Sequence, residues 1–266
     1  MPVDPASGFS PADKEKMMGT VQDEHIFPLR VASYDVGEDD RLRLSAVLRY
    51  QQEAAERHLE PAGLGWDGQI ARGFAFVLTR WHALFLRLPA MGEQTAVTTW
   101  HRERRGARFY RCHVWQDTAG RELIRSVTEY ALVSVTDHRL LRGDEFDELG
   151  ILPHPERRVD LADPGRLRLP PLDPADEYTV RRSDLDRNGH MNNTRYADLC
   201  TDLLPDGLPP VREIWLHFAG ETRRGDQIAL ERAMGEDGFF ARGATAHGEA
   251  FEARLLTGAE DADGVR

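Results

Sequence analysis

The segment Ser183-Asp184-Leu185-Asp186-Arg187-Asn188-Gly189-His190-Met191-Asn192-Asn193-Thr194-Arg195-Tyr196 gathers the residue types that proton-transfer chemistry needs. An acid, an amide and an imidazole, Asp186, Asn188 and His190, alternate, and an extended backbone would point all three to one side. Asn192 and Asn193 are N-cap candidates for a helix, and the exposed N–H groups beyond such a cap can receive developing negative charge. Gly189 permits a backbone conformation that other residues resist. These parts suit a hydrolytic site, with a base, a polar donor and a positive helix end. They equally suit a capped turn with an Asp–His hydrogen bond and no chemistry, and spacing alone leaves both readings open.

The elements that must position this turn come in two similar series. In the first, residues 28–35 form a short strand and residues 44–59 a helix, with Leu44, Val47, Leu48, Ala54, Ala55 and Leu59 recurring roughly as i, i+3, i+4. Pro61 and Gly63 stop that helix. Strands are predicted at 74–88, 94–104, 107–117 and 121–136, separated by turns rich in Gly and polar residues. The stretch 142–174, rich in Pro, Asp and Arg, reads as a linker. A second series follows: a strand at 176–182, a helix at 194–204, and strands at 211–220, 226–235, 238–247 and 249–257.

The two series superpose. A shift of 133 places Trp81-His82-Ala83-Leu84-Phe85 on Ile214-Trp215-Leu216-His217-Phe218, and Gly92-Glu93-Gln94 on Gly225-Asp226-Gln227. A shift of 146 places Asp40 on Asp186 and Tyr50 on Tyr196. In this alignment His190 falls on Leu44, Asn188 on Leu42 and Glu221 on Leu88, so the first copy has an apolar set where the second has a polar one. One strand, one helix and a run of antiparallel strands exclude a parallel βαβ sheet. The expected fold class is α+β, with two units joining their antiparallel sheets, each packed on a helix.

The chain has 266 residues, 41% of them apolar, which allows one large domain or two of about 120 residues. No run approaches the roughly 18 apolar residues that span a bilayer. Residues 1–20 have neither a basic head nor an apolar stretch and are not read as a secretory signal. Cys112 and Cys200 are too few for a disulfide framework and match no metal spacing. A cytoplasmic location is expected, without membrane attachment. A formal net charge of −11 argues against nucleic acid as the main partner. Local basic clusters stand against this balance: Arg102, Arg104, Arg105 and Arg108; Arg139 and Arg142; Arg181 and Arg182; Arg223 and Arg224.

The run D-x-N-G-H-M-N-N-x-x-Y, Asp186 to Tyr196, resembles the helix-start motif of hotdog thioesterases. RRSDLDRNGHMNN is similar to the acyl-acyl carrier protein thioesterases of plants and bacteria, and residues 87–142, RLPAMGEQTAVTTWHRERRGARFYRCHVWQDTAGRELIRSVTEYALVSVTDHRLLR, resemble that family's N-terminal half. The resemblance covers roughly residues 25–257 and implies a tandem double hotdog. Its domains would be an N-terminal hotdog at 22–141 holding the acyl chain, a linker at 142–174 and a catalytic hotdog at 175–258. It implies that Asp186, Asn188, His190 and Glu221 form the catalytic set. Plant members carry a cysteine where this chain has Thr222, which argues against a cysteine mechanism here. Strict strand alternation puts Glu221 on the face of Trp215 and His217, unless Gly220 makes a bulge. Phe74, Phe76, Trp81, Phe85 and Trp66 are the candidate acyl-chain liners.

The resemblance implies hydrolysis of acyl-acyl carrier protein to free fatty acid, with the carrier protein as partner. No metal or organic cofactor is expected, because a thioester is already activated. Either Glu221, working with His190, or Asp186 could be the base, and sequence does not separate them. An acyl-CoA thioesterase would share the site. A dehydratase of the same fold and a non-catalytic acyl-thioester sensor fit the polar set less well. A double hotdog holds within one chain the pairing that single hotdogs reach by dimerising, so a monomer or a homodimer is expected.

Overall fold

Helix α1 (Leu44–Leu59) buries Leu44, Val47, Leu48, Gln51, Ala54, Ala55, His58 and Leu59, a stripe at helical spacing that faces a sheet. A 3-10 turn at Glu60–Ala62, with Pro61, and Gly63 at φ +65° end it. The computed structural model describes residues 23–141 and 151–258, so residues 1–20 and Arg142 lie outside the described part. The first series is β1 (His25–Arg30), α1, a short helix α2 (Trp66–Ala71), β2 (Phe74–Phe85), β3 (Gln94–Arg105), β4 (Arg108–Asp117) and β5 (Glu122–Ser134). The second is β6 (Asp173–Thr179), α3 (Asn193–Asp202), β7 (Val211–Phe218), β8 (Gln227–Gly235), β9 (Gly238–Thr245) and β10 (Gly248–Thr257). Helix α2 was not predicted: six residues with few apolar ones make no periodic signal.

The strands form one ten-stranded antiparallel sheet in the order β1-β3-β4-β5-β2-β7-β10-β9-β8-β6. The second half of that order repeats the first in reverse, as two copies related by a pseudo-twofold axis must. They join where β2 pairs with β7, from Arg80 opposite His217 to Leu84 opposite Glu213. The fold is thus α+β, a double hotdog with α1 and α3 packed on one face of the shared sheet. Val47, Leu48, Trp81, Phe85, Tyr196, Leu216 and Phe251 belong to one continuous core that includes residues of both copies. In β2 an extra residue, Thr79, interrupts the pairing with β5, and its hydroxyl donates to the Glu129 carbonyl at 3.0 Å. The bulge keeps Phe76, Leu78, Trp81, Ala83 and Phe85 on the helix side.

Residues 151–172 carry no strand or helix and cross the outer face of the sheet. Polar contacts fix them there: His82 Nδ1 lies 2.7 Å from the Ala162 carbonyl, and Trp100 Nε1 donates to Arg157 O at 3.0 Å. The first basic cluster works in the same place. Arg102, 1% exposed, and Arg105 pair with Asp163 at 2.6 and 2.9 Å. Among the described residues, no helix is long and apolar enough to cross a membrane.

Several histidines are buried in this frame. Burial holds His101 at about 3 and drives His113 well below 6.5; burial, followed by nearby Arg80, brings His217 to about 4. All three fold neutral, whereas in the unfolded chain they take up protons below pH 6.5. The unfolded state then binds more protons, so stability is full above pH 6.5 and is lost as pH falls towards 4. Each should contribute a loss on the order of 1–2 kcal/mol by pH 5. Urea denaturation at pH 7.5 and pH 5 measures this, and equal midpoints at the two values would refute it.

Candidate active site

Helix α3 starts at a true cap: the Asn192 side chain accepts the Thr194 N–H at 2.9 Å and the Thr194 hydroxyl at 2.8 Å. The turn before it is not extended, and this corrects the alternation argument. Asp186 N–H donates to the His190 carbonyl at 2.8 Å, and Gly189 N–H to the Asp186 carbonyl at 3.1 Å. Gly189 sits at φ +78°, where a side chain is strained. Asp186 Oδ1 accepts the backbone N–H of Asn188 at 2.7 Å and of His190 at 3.3 Å, so its carboxylate closes the turn. Asn188 is exposed, with its amide nitrogen 3.4 Å from Asp186 Oδ2.

His190 turns instead to Glu221: Nε2 and Oε2 are 3.1 Å apart, with the two side chains 18% and 50% exposed. Glu221 reaches this position because the strand geometry breaks just before it. Strand β7 ends at Phe218, and the N–H groups of Ala219 and Gly220 both point to the Ala250 carbonyl, at 2.9 and 3.3 Å. A Cβ on Gly220 would lie 2.7 Å from the Glu249 carbonyl oxygen, so only glycine passes without a shift. The expected face for Glu221, shared with Trp215 and His217, is therefore wrong, and the bulge alternative is the one found. Met191 N–H donates to Thr222 O at 2.8 Å, and His190 bridges Arg223, which clamps the turn to the strand exit. Arg223 also stands 3.8 Å from Glu221.

Two possible nucleophiles are disposed of by their surroundings. Thr222 is 1% exposed and its hydroxyl lies 2.9 Å from Tyr196 Oη. Cys200 is fully buried inside α3, and burial pushes its thiol up, away from thiolate. Thr222→Ala should therefore retain most activity and lose about 1 kcal/mol of stability with the buried hydrogen bond. Activity assays and denaturation of the purified variant test this; loss of turnover with the fold intact would point to a role for the hydroxyl. Among the described residues, no group of three or more His, Cys, Asp or Glu side chains could hold a metal ion.

The structure also corrects the alignment of the copies around the turn. Asp35 and Asp184 each accept a backbone N–H through their carbonyl, from Arg43 and Asn192, and Gly37–Arg41 closes as Asp186–His190 does. The offset from Asp35 to Asp184 is thus 149, not 146. His190 corresponds to Arg41, Asn188 to Asp39 and Asp186 to Gly37; Glu221 keeps its match to Leu88. Asp40, at φ +58°, stands where the second copy has Gly189. The first copy is therefore polar at this turn, yet it lacks both the imidazole and its carboxylate partner.

A cavity of about 750 Å³ opens beside His190 and Glu221. Its wall includes Asp186, Asn188, Asn192, Asn193 and Phe218 from the second copy, and it continues below α1 past Leu59, Phe76, Phe109, Tyr130 and Arg111. Of the predicted liners, Trp66 and Phe76 are on this wall. Phe74 is one layer behind, edge-on to Phe76 at 5.9 Å. Trp81 and Phe85 are not liners: they fill the core, 0% and 1% exposed, with Trp81 Nε1 donating to Gln51 at 3.0 Å. Arg187 lies 5.3 Å over the Trp66 ring and pairs with Asp67 at 2.9 Å, which ties α2 to the turn of the other copy. Phe109, Tyr130 and Arg111 were missed because strand periodicity does not say which face of β4 or β5 meets a cavity.

Comparison with known proteins agrees with this architecture. The family model for the acyl-ACP thioesterase N-terminal domain matches residues 24–145, and that for the C-terminal domain matches residues 173–255. The chain is 25% identical over 247 residues to oleoyl-acyl carrier protein thioesterase 2, chloroplastic, of Arabidopsis thaliana, covering 85% of this chain and 67% of that protein. It spans about half to two thirds of the length of such curated relatives. The crystal structure of an acyl-ACP thioesterase from Bacteroides thetaiotaomicron superposes with a TM-score of 0.76 at 19% identity, over 91% of this chain and 98% of that one. The 12:0-ACP thioesterase from Umbellularia californica gives 0.75 at 22% identity, over 90% and 98%. Two domain matches in the right order, on two hotdogs the second of which pairs His190 with Glu221 at its helix start, place the chain in the acyl-ACP thioesterase family.

Proposed function

We propose that this chain hydrolyses the thioester of acyl-acyl carrier protein, releasing a free fatty acid and ending chain elongation. The observation that carries the reading is the His190–Glu221 contact of 3.1 Å at the mouth of a cavity that runs on past Leu59, Phe76, Leu78 and Phe109. Glu221, with His190 beside it, takes a proton from water as the water oxygen bonds to the thioester carbonyl carbon. The first N–H groups of α3 and the Asn188 amide stabilise the oxyanion. The intermediate collapses, the C–S bond breaks, and the thiolate of the carrier's arm leaves and takes up a proton. Asp186 orients the turn; its carboxylate accepts two backbone N–H groups, which favours Glu221 over it as base.

On this reading residues 22–141 hold the acyl chain, 142–174 link the copies, and 175–258 carry the chemistry. Cys112 and Cys200 are both free and buried, as suits a reducing compartment, and we place the protein in the cytoplasm, as a monomer or homodimer. Thiol release from a ladder of acyl-acyl carrier proteins is the test: no release from any member would sink the proposal, and a preference for acyl-CoA would favour the runner-up substrate. Phe76→Ala should lengthen the preferred acyl chain, because each methylene buried in the opened space adds roughly 0.8 kcal/mol. Turnover of the best substrate should stay within tenfold. Product analysis by chain length checks this, and a profile that ignores Phe76 but follows Ile214 would place the acyl pocket in the other copy.

A further inference from the structure

The far wall of the cavity is cationic. Arg111, in the middle of β4, is 6% exposed and lines the cavity on the helix side of the sheet. Its Nη1 donates to His58 Nδ1 at 2.8 Å and to Thr99 Oγ1 at 3.2 Å. A ring nitrogen that accepts from a guanidinium is unprotonated, and a hydroxyl is neutral, so neither partner offsets the charge. Burial lowers the guanidinium to about 10, which still leaves it charged at neutral pH. Among the described residues, no carboxylate pairs with Arg111, and the edge formed by Nε and Nη2 has no acceptor. A buried cation without a counter-charge is costly unless something completes it.

The register says where this charge lies along the cavity. Leu216 of β7, Trp81 of β2, Thr128 of β5 and Arg111 of β4 are successive partners across the sheet. Three strand spacings of about 4.8 Å put the Arg111 backbone roughly 14 Å from β7, the strand that Glu221 follows. Between them the cavity wall is Phe76, Leu78, Tyr130 and Phe109. A ligand with its thioester at His190 and Glu221 would run methylenes past these rings and end near the guanidinium.

We infer that the acyl chain bound here carries a hydrogen-bond-accepting oxygen, a hydroxyl or carboxylate, at or near its distal end, held by the Nε–Nη2 edge of Arg111. The inference rests on the reading of this cavity as the acyl site and names the class of acyl chain. Such a site discriminates strongly, since a chain ending in methyl leaves buried donors unpaired.

The experiment compares carrier-protein thioesters with methyl, ω-hydroxyl and ω-carboxyl ends across a ladder of lengths. At the best length, an oxygen-ended substrate should have kcat/KM at least tenfold above its methyl-ended counterpart, and the two oxygen arms tell hydroxyl from carboxylate. Arg111→Leu should remove or invert that ratio. Arg111→Lys, which keeps charge without the planar fork, should reduce it. If Arg111→Leu does not fold, the wild-type comparison decides alone. A wild-type preference for methyl-ended chains at every length overturns the inference and leaves the hydrolase reading intact. No thiol release from any substrate overturns the hydrolase reading instead. Calorimetric titration with the corresponding free acids then decides the role of Arg111: tenfold tighter binding of oxygen-ended acids supports it, and equal binding overturns it.

Discussion

Glu221→Gln should lower kcat by about 10²–10⁴-fold while leaving the fold unchanged, the range typical for loss of a general base. The substitution keeps the side chain's size and lets it accept a hydrogen bond from His190, but the amide cannot take a proton. Glu221 is half exposed and follows the end of β7, so little core packing depends on it. His190→Ala removes the partner 3.1 Å away and should cost at least tenfold, as should Asn188→Ala at the exposed tip of the turn. Because His190 and Glu221 act as a unit, the double variant should be little worse than the poorer single one. Asp186→Asn separates the rival assignment. Its carboxylate closes the turn through the Asn188 and His190 N–H groups, and the amide oxygen of Asn can still accept them. Steady-state kinetics on carrier-protein thioesters, with circular dichroism to check the fold, decide the matter. A folded Glu221→Gln enzyme with full turnover, beside an inactive Asp186→Asn enzyme, would make Asp186 the base.

The elements of this fold were largely written in local pattern. Helix α1 was predicted at 44–59 and found at Leu44–Leu59, because six apolar positions, all of them buried, repeat at helical spacing and Pro61 with Gly63 ends them. Strand β3 was likewise predicted at 94–104 and found at Gln94–Arg105. What failed was whatever depends on partners distant in sequence. The offset between the copies shifts from 133 at β2 and β7 to 149 at the first strands and turns, because the copies join these elements through segments of different length. A single offset of 146 matched Asp40 to Asp186 and Tyr50 to Tyr196, and neither pair is equivalent in space. Period-two alternation misplaced Glu221 because the close approach of Gly220 to Glu249 O is invisible without the neighbouring strand. Trp81 and Phe85 have the composition of pocket liners but face the packed part of the same side, beyond the Thr79 bulge.

The same duplication supplies a test of which copy does chemistry. Asp184, 3% exposed, accepts the Tyr178 hydroxyl at 2.8 Å, the Arg181 N–H at 2.7 Å and Arg195 Nε at 3.2 Å, and its carbonyl takes the Asn192 N–H. It thereby holds β6, α3 and the capping residue in one arrangement. Asp35 does the equivalent in the first copy, with the Arg49 guanidinium and the Tyr50 hydroxyl both at 2.7 Å and the Arg43 N–H on its carbonyl. Each aspartate replaced by alanine loses at least two hydrogen bonds that involve a charged group and leaves an arginine without one of its partners. The arginines are 38% and 53% exposed, so water offsets part of the loss, and about 2–4 kcal/mol of destabilisation is expected for either. Their effects on turnover should diverge. Below the melting temperature of both variants, Asp184→Ala should reduce kcat severalfold, because the turn it anchors carries His190. Asp35→Ala should keep kcat near the parent value, because the matching turn carries Arg41 and has no carboxylate opposite. Denaturation midpoints measured beside kcat on the same preparations give both readouts. Equal losses of kcat in two folded variants would mean that the first copy's turn also takes part in hydrolysis, and the assignment of chemistry to residues 175–258 would have to be given up.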